Sequence, residues 1–293
     1  RFQAIGAQRV LLWPDTFNNH FHPETAVAAV EVLETAGFTV DVPGGSLCCG
    51  RPLYDFGMLD TAKRLLRQIL DKLAPELAAG TPIVVLEPSC AAVFRDELVN
   101  LFPDDENALR LKAQTYLLSE FLERFAPDFQ TPTLQRHAIV QGHCHQQALM
   151  GMHTEEATLR KHVATVETLN SGCCGMAGAF GFEASHYDVS IACGERVLLP
   201  VVRDAPKDTL IVADGFSCRE QIAQTTDRRA LHLAEILRMA LRDHELSVHS
   251  AYPEREAKPL PADKGRLRLA LLALAGATAL AAAATFWRRR KVR

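Results

Sequence analysis

The sequence predicts an α/β protein built from two pseudo-repeated α/β subdomains with parallel sheets, plus a C-terminal hydrophobic helix. Three observations carry this reading. The chain repeats itself, its short apolar runs alternate with helical patterns, and its composition changes near the end. Residues 38–57 (FTVDVPGGSLCCGRPLYDFG) correspond to 163–183 (VATVETLNSGCCGMAGAFGFE), 81–98 (TPIVVLEPSCAAVFRDEL) to 208–223 (DTLIVADGFSCREQIA), and 113–125 to 228–240, at a spacing of about 120 residues. Each half opens on a short apolar run, RVLLWP at 9–14 and HAIVQ at 137–141. A recurring order of elements marks a duplicated unit.

Taken in order, the runs at 9–14, 38–42 and 83–87, then at 138–141, 164–169 and 209–213, are short and rich in Val, Ile and Leu, as buried strands are. Between them lie helical stretches. Residues 23–36 start with Pro23, carry Ala26, Val27, Val30 and Leu33, and stop at Gly37, the usual asymmetry of a Pro start and a Gly stop. A second helix is expected over 58–78, with Leu66, Ile69, Leu70 and Leu73 on one side and Gly80 after it. A third is expected over 186–202, with Val189, Ala192, Cys193, Val197 and Val201 at helical spacing. Strands alternating with helices imply parallel sheet. The divisions follow as 1–128, 129–247, a polar linker at 248–266 and a transmembrane helix at 267–293.

The tail stands apart from the body. Before residue 264 there are 24 bases against 35 acids, a net charge of −11; from Lys264 onward come 8 bases and no acid. An acidic body lacks the basic surface that phosphate contact needs, so nucleic acid is not an expected partner. Leu269 to Trp287 is 19 residues without a charge, followed by RRRKVR. That length suffices for one membrane crossing, with Trp287 and the arginines at an interface. The chain is expected on the cytoplasmic side of a membrane, anchored by this helix, or otherwise in the cytoplasm. The opening Arg1, in place of Met, suggests a piece of a longer polypeptide.

Seven of the eight cysteines follow an expected strand: Cys48, Cys49 and Cys90 in the first half, Cys144, Cys173, Cys174 and Cys218 in the second. Ligands of open α/β sheets bind at the carboxyl ends of the strands. Four convergent thiolates suit zinc or an iron–sulfur cluster. Structural zinc favours pairs two to four residues apart, whereas the adjacent cysteines here suit a cluster with several irons. Gly50 and Gly175 follow the two pairs and permit a tight ligand turn. Free cysteine also packs as a small hydrophobe, and Cys193 is read as core. The first half has Thr16 where the second has Cys144, which leaves Cys48, Cys49 and Cys90 without a fourth thiol. His143 and His145 flank Cys144 as candidate donors to a cluster sulfur. His20 and His22 occupy the matching loop and are candidates for the missing ligand.

These residues look familiar. SLCCGRP with EPSC, and GHCH with SGCCGMAG and DGFSC, resemble the duplicated cysteine-rich CCG domain family. That family includes the heterodisulfide reductase B subunit and the iron–sulfur subunits of glycolate oxidase and anaerobic glycerol-3-phosphate dehydrogenase. The runs LLWPDTFNNHFHPE, LCCGRPLYDFGMLD and SGCCGMAGAFGFE look most like the C-terminal region of bacterial FAD-linked, iron–sulfur D-2-hydroxyacid dehydrogenases of the D-lactate and D-2-hydroxyglutarate type. The likeness covers residues 9–243. In the fullest family pattern each half has a lone Cys, a CCG and a final CxxC; here Thr16 replaces one lone Cys, and Glu87 and Gly215 replace the first Cys of each CxxC. A five-cysteine cluster is therefore not expected.

The resemblance implies an electron-transfer module. Electrons from FAD on an upstream domain or a partner protein would pass a ferredoxin-like segment, reach a 4Fe–4S cluster on Cys144, Cys173, Cys174 and Cys218, and leave to a membrane quinone or another acceptor. The alternative is a cluster-free structural or substrate-capping module of the same oxidoreductase. In that case Asn18, Asn19, His22, Arg51 and Arg219 would border a carboxylate substrate, which the arginine fork matches.

Overall fold

Two parallel sheets organise the chain, seen in a computed structural model that describes residues 8–242 and 251–256. The first half runs β1 (Arg9–Leu12), α1 (Thr16–His20), α2 (Pro23–Thr35), β2 (Thr39–Asp41), α3 (Arg51–Asp55), α4 (Leu59–Ala79), β3 (Ile83–Val84), α5 (Pro88–Ala92), a π turn (Val93–Glu97), α6 (Leu98–Leu101), α7 (Glu106–Gln114), β4 (Thr115–Tyr116) and α8 (Leu118–Phe125). The second runs β5 (Leu134–Val140), α9 (Cys144–Leu149), α10 (His153–His162), β6 (Val163–Thr168), a 3₁₀ turn (Phe180–Phe182), α11 (Tyr187–Gly194), α12 (Leu198–Asp204), β7 (Leu210–Val212), α13 (Phe216–Thr225) and α14 (Leu233–Arg242); α15 (Pro253–Glu256) follows.

The first sheet has the order β2-β1-β3-β4 and the second β6-β5-β7, all pairs parallel. Leu231 forms a parallel bridge to Val212, outside β7, where β4 stands in the first sheet. The second sheet thus repeats the strand order of the first.

Alternate strand residues face opposite sides, as the pleat requires. Val10, Leu12, Val84 and Leu86 share one apolar cluster with Ala138, Val140, Leu210 and Val212 of the other sheet and with α2, α8 and α14. Their neighbours turn away. Leu11, Trp13, Ile83 and Val85 meet α4 and α7, while Ile139, Ile211 and Ala213 meet α12 and α13.

α4 keeps its expected stripe of Leu66, Ile69, Leu70 and Leu73, and ends on Gly80 in the left-handed region. α2 is rotated from expectation. Its buried residues are Thr25, Ala28, Ala29, Val32 and Leu33, because the small Ala28 and Ala29 let it lie closely on α14. The single helix expected over 186–202 is two, broken at residues 195–197. Pro200 explains the break: in a continuous helix its ring would strike the carbonyl of residue 196, whereas in the first turn of α12 its missing N–H has no intrahelical role. The buried face is also different. Ser190 and Gly194 are buried in α11, while Val189 is exposed and Cys193 is half-buried.

Part of the expected linker belongs to the body. Glu254 is buried and accepts from Arg228 Nε at 2.7 Å, and the Tyr252 hydroxyl donates to Asp227 at 2.9 Å. No helix of the described residues is long and apolar enough to cross a membrane, and the helix expected at 267–293 lies outside them.

Candidate metal centre

All seven strand-end cysteines sit beyond the carboxyl ends of β2, β3, β5, β6 and β7. In the second half Cys144 is the first residue of α9, Cys173 and Cys174 lie in the turn after β6, and Cys218 is in the first turn of α13. Their side chains are within hydrogen-bonding reach in a row: Cys144 with Cys173, Cys173 with Cys174, and Cys174 with Cys218. Cys174 and Cys218 are buried, Cys144 is half-buried and Cys173 is exposed. The row therefore opens to solvent at one end.

Proton affinity is polarised along it. Hydrogen bonds from Cys144 and then Cys174 pull the Cys173 thiol far below its usual value, helped by the Gly175 N–H at 3.4 Å. The same contact with Cys173 pushes Cys144 and Cys174 up, and burial adds to it. Such a set holds sulfur donors together and sheds its remaining protons when a cation binds.

The turn is shaped by close packing. A Cβ on Gly175, at φ 96°, would lie 2.0 Å from the Ser190 carbonyl oxygen. A Cβ on Gly194 would lie 3.1 Å from the Cys174 oxygen. This is why small residues, not Val189, face inward on α11. Gln221 Nε2 ties α13 to the same turn, donating to the carbonyls of Cys174 at 3.0 Å and Ser190 at 3.1 Å. Cys193 stands beside Gly175 and outside the row of thiols.

The histidines of GHCH border the set. His143 Nδ1 accepts the His145 backbone N–H at 3.2 Å, capping α9, and the two rings stack at 5.3 Å. Burial, with His145 second, pushes His143 down to about 4, so its ring is neutral near pH 7. Burial also lowers His145. Ligand atoms of His143, Cys144 and His145 lie within 4.8 Å of one another. This mixed donor trio shares Cys144 with the four thiols.

The first half assembles three thiols. Cys49 Sγ is 2.8 Å from Cys90 Sγ, both buried, and Cys48 contacts Cys49. Hydrogen bonding to Cys49, then burial, raises the Cys48 thiol. Thr16 donates its hydroxyl to Cys48, so it occupies the place its sequence position assigns, at the start of the first helix of its half, as Cys144 does.

His22 does not join them. Its ring nitrogens meet Glu24 at 3.4 Å and Glu220 at 3.1 Å. His20 is exposed beside Asn19. Neither replaces the missing ligand. Arg219, expected to border a carboxylate, is buried and donates to Thr25 at 3.0 Å and Asn18 at 2.9 Å. Asn18 is buried with it, and Asn19 is exposed. Arg51 is held by Glu97, which the π turn presents, and by Asp55 at 2.7 Å.

Sequence reasoning missed Glu87, Ser190 and Gln221 as builders of the site. For Glu87 a signal existed: an acid directly before Pro88 is a helix N-cap pattern. Ser190 and Gln221 carry no such mark, because their role depends on which turn packs against them.

Two parallel sheets delivering thiols from equivalent loops define a duplicated, cysteine-rich α/β protein. Residues 15–95 match the cysteine-rich domain family CCG. Lactate utilization protein A of Bacillus velezensis is 30% identical over 248 residues, covering 78% of this chain and 98% of the relative. The protein of that name in Bacillus subtilis is 28% identical over 243 residues, with 78% and 98% covered. One of the subunits of anaerobic glycerol-3-phosphate dehydrogenase from Escherichia coli is 27% identical over 245 residues, covering 82% of this chain and 61% of that protein. The chain belongs to the cysteine-rich CCG family, and it is similar to these relatives along most of its own length.

Proposed function

We propose that this chain is the iron–sulfur electron-transfer subunit of a dehydrogenase. The observation that carries the reading is the convergence of Cys144, Cys173, Cys174 and Cys218 beyond one sheet edge. The donor set fits: four soft sulfurs suit iron–sulfur chemistry. Adjacent Cys173 and Cys174 are better matched to several irons than to one tetrahedral ion. Such a cluster, when bound, supplies a one-electron carrier. The residues around it do the rest. Gly175 N–H donates to the Cys173 sulfur, the first-turn amides of α13 offset thiolate charge, and the buried His143 ring caps the helix that begins at Cys144.

The finer proposal names the neighbours. Electrons would come from FAD on an upstream domain or partner, through a ferredoxin-like segment, after oxidation of a D-2-hydroxyacid. They would leave to a membrane quinone or a similar acceptor. The words lactate and dehydrogenase in the relatives' names support a dehydrogenase partner. A seat on the cytoplasmic side of a membrane is part of the proposal, supported by the uncharged run Leu269–Trp287 and its basic end. The substrate-capping alternative has weaker support, since Arg219 is buried and bonded within the protein.

The test is elemental. Anaerobically purified and reconstituted chain should hold about four iron and four sulfide, and should not oxidise D-lactate without a flavoprotein. Absence of both elements, or dehydrogenase activity of the chain alone, sinks the reading.

A further inference from the structure

The internal repeat aligns Glu87-Pro88-Ser89-Cys90 with Gly215-Phe216-Ser217-Cys218. The first residues of these two stretches play unlike parts. Glu87 is buried and caps its own helix: Oε1 accepts the Ser89 N–H at 3.2 Å and the Ser89 hydroxyl at 2.8 Å. Its other oxygen leaves the half altogether. Glu87 Oε2 accepts the backbone N–H of Phe216, the first residue of α13, at 2.8 Å. Gly215 has no side chain to cap α13, and its bareness makes room for the His143 ring. The cap of α13 thus comes from the opposite half. A second strut runs beside it, for His232 Nδ1 accepts the Ala234 N–H, leaving Nε2 to donate to the Leu86 carbonyl at 3.1 Å.

We propose that Glu87 is a positioning residue that couples the two thiol sets. One of its oxygens fixes the helix bearing Cys90, and the other fixes the helix bearing Cys218. The placement of Cys218, and the potential of any centre on Cys144, Cys173, Cys174 and Cys218, then depend on a carboxylate of the first half. The dependence on potential rests on the iron–sulfur reading; the dependence on placement does not. The coupling is one-sided, since Gly215 returns nothing to α5.

The experiment uses the full chain and Glu87→Gln. Glutamine keeps the volume and one oxygen, but sets an amide N–H₂ where an acceptor is needed and removes a negative charge. In iron-free protein, N-ethylmaleimide labelling of Cys218, read by mass spectrometry, should quicken about tenfold, the scale of one lost buried hydrogen bond. Cys193, on neither clamped helix, should label at an unchanged rate. In reconstituted protein the midpoint potential should move positive, because a nearby negative charge is gone. Glu87→Asp supplies a second variant. It keeps the charge and loses the reach, so Cys218 labelling should quicken while the potential moves less than in Glu87→Gln. Equal Cys218 labelling in wild type and both variants overturns the clamp, and so does equal acceleration at Cys193. Wild type that takes up no iron or sulfide overturns the electron-transfer reading alone, leaving the labelling result to judge Glu87.

Discussion

Gly215 and His143 are packed so closely that a Cβ on Gly215 would stand 2.1 Å from the imidazole Cδ2. The contact joins the loop after β7 to the loop after β5, and behind it lies the cap that starts α9 at Cys144. Gly215→Ala must therefore push the ring aside, and with it the Nδ1 cap. Overpacking of this kind costs about 1–3 kcal/mol. We expect a lower urea midpoint and less iron per chain after reconstitution. An alanine variant with wild-type iron content would show that the ring is free to move.

Gly175 and Gly37 offer an internal comparison, for both have φ 96° but only Gly175 is crowded. A Cβ on Gly37 meets nothing within 4 Å, whereas one on Gly175 meets the Ser190 oxygen at 2.0 Å. Gly37→Ala should cost about 1–2 kcal/mol, as a left-handed non-glycine residue does. Gly175→Ala adds a backbone collision that no rotamer relieves, so its loss should exceed the other by about 1–3 kcal/mol. Chemical denaturation of the two variants checks the order, and equal losses would remove the packing argument.

This comparison shows what was legible beforehand. Gly50 and Gly175 could be read as turn glycines from the CCG pattern, and the repeat implied two similar halves with parallel sheets, though not the strand order the two sheets share. The thiol row followed from placing cysteines after strands. Contacts between the halves were not legible, because nothing in a linear pattern says that Glu87 will meet Phe216 or that Arg219 will meet Asn18. The apolar spacing of 186–202 misled for a related reason. Val189 and Cys193 fit a helical stripe, but close approach of the Cys174 turn requires Ser190 and Gly194 there instead, and Pro200 divides the helix. Arg51 and Arg219 looked like carboxylate receptors because a sequence shows charge without showing its internal partners.

Thr16 and Cys144 hold equivalent places, so exchanging their chemistry should exchange their capacity. Cys144→Ser removes one of four sulfurs from the second half and should leave a reconstituted chain nearly free of iron. Cys90→Ser should leave the iron of the second half in place. Thr16→Cys puts a fourth thiol beside Cys48, which Thr16 already contacts, and should raise iron from about four to about eight per chain. Iron and sulfide analysis of the three variants decides the matter. Full iron in Cys144→Ser would exclude the second half as the holder.

His162 provides a pH test away from the thiols. It closes α10, its Nδ1 lies 2.7 Å from the Thr131 hydroxyl, and its ring packs against Phe129. Burial, with Lys161 second, pushes it down to about 4, from an ordinary 6.5. In the folded chain it is neutral at pH 5, whereas in the unfolded chain it is protonated there. A depressed folded value means that its contribution is complete above about 6.5, falls as pH drops through the interval, and is gone below about 4. Asp214, raised to about 6 chiefly by burial, titrates in the same interval with the opposite sign. His143 and His232, each pushed down to about 4 chiefly by burial, titrate there with the same sign as His162, so the wild-type curve alone would mix these groups. The informative quantity is the difference between wild type and His162→Asn, which keeps a polar atom near Thr131 but cannot titrate. In iron-free protein, urea unfolding at pH 7, 6 and 5 should show the variant gaining on wild type at each step down. Parallel curves across that range would mean that His162 is protonated as readily in the folded chain as in the unfolded one.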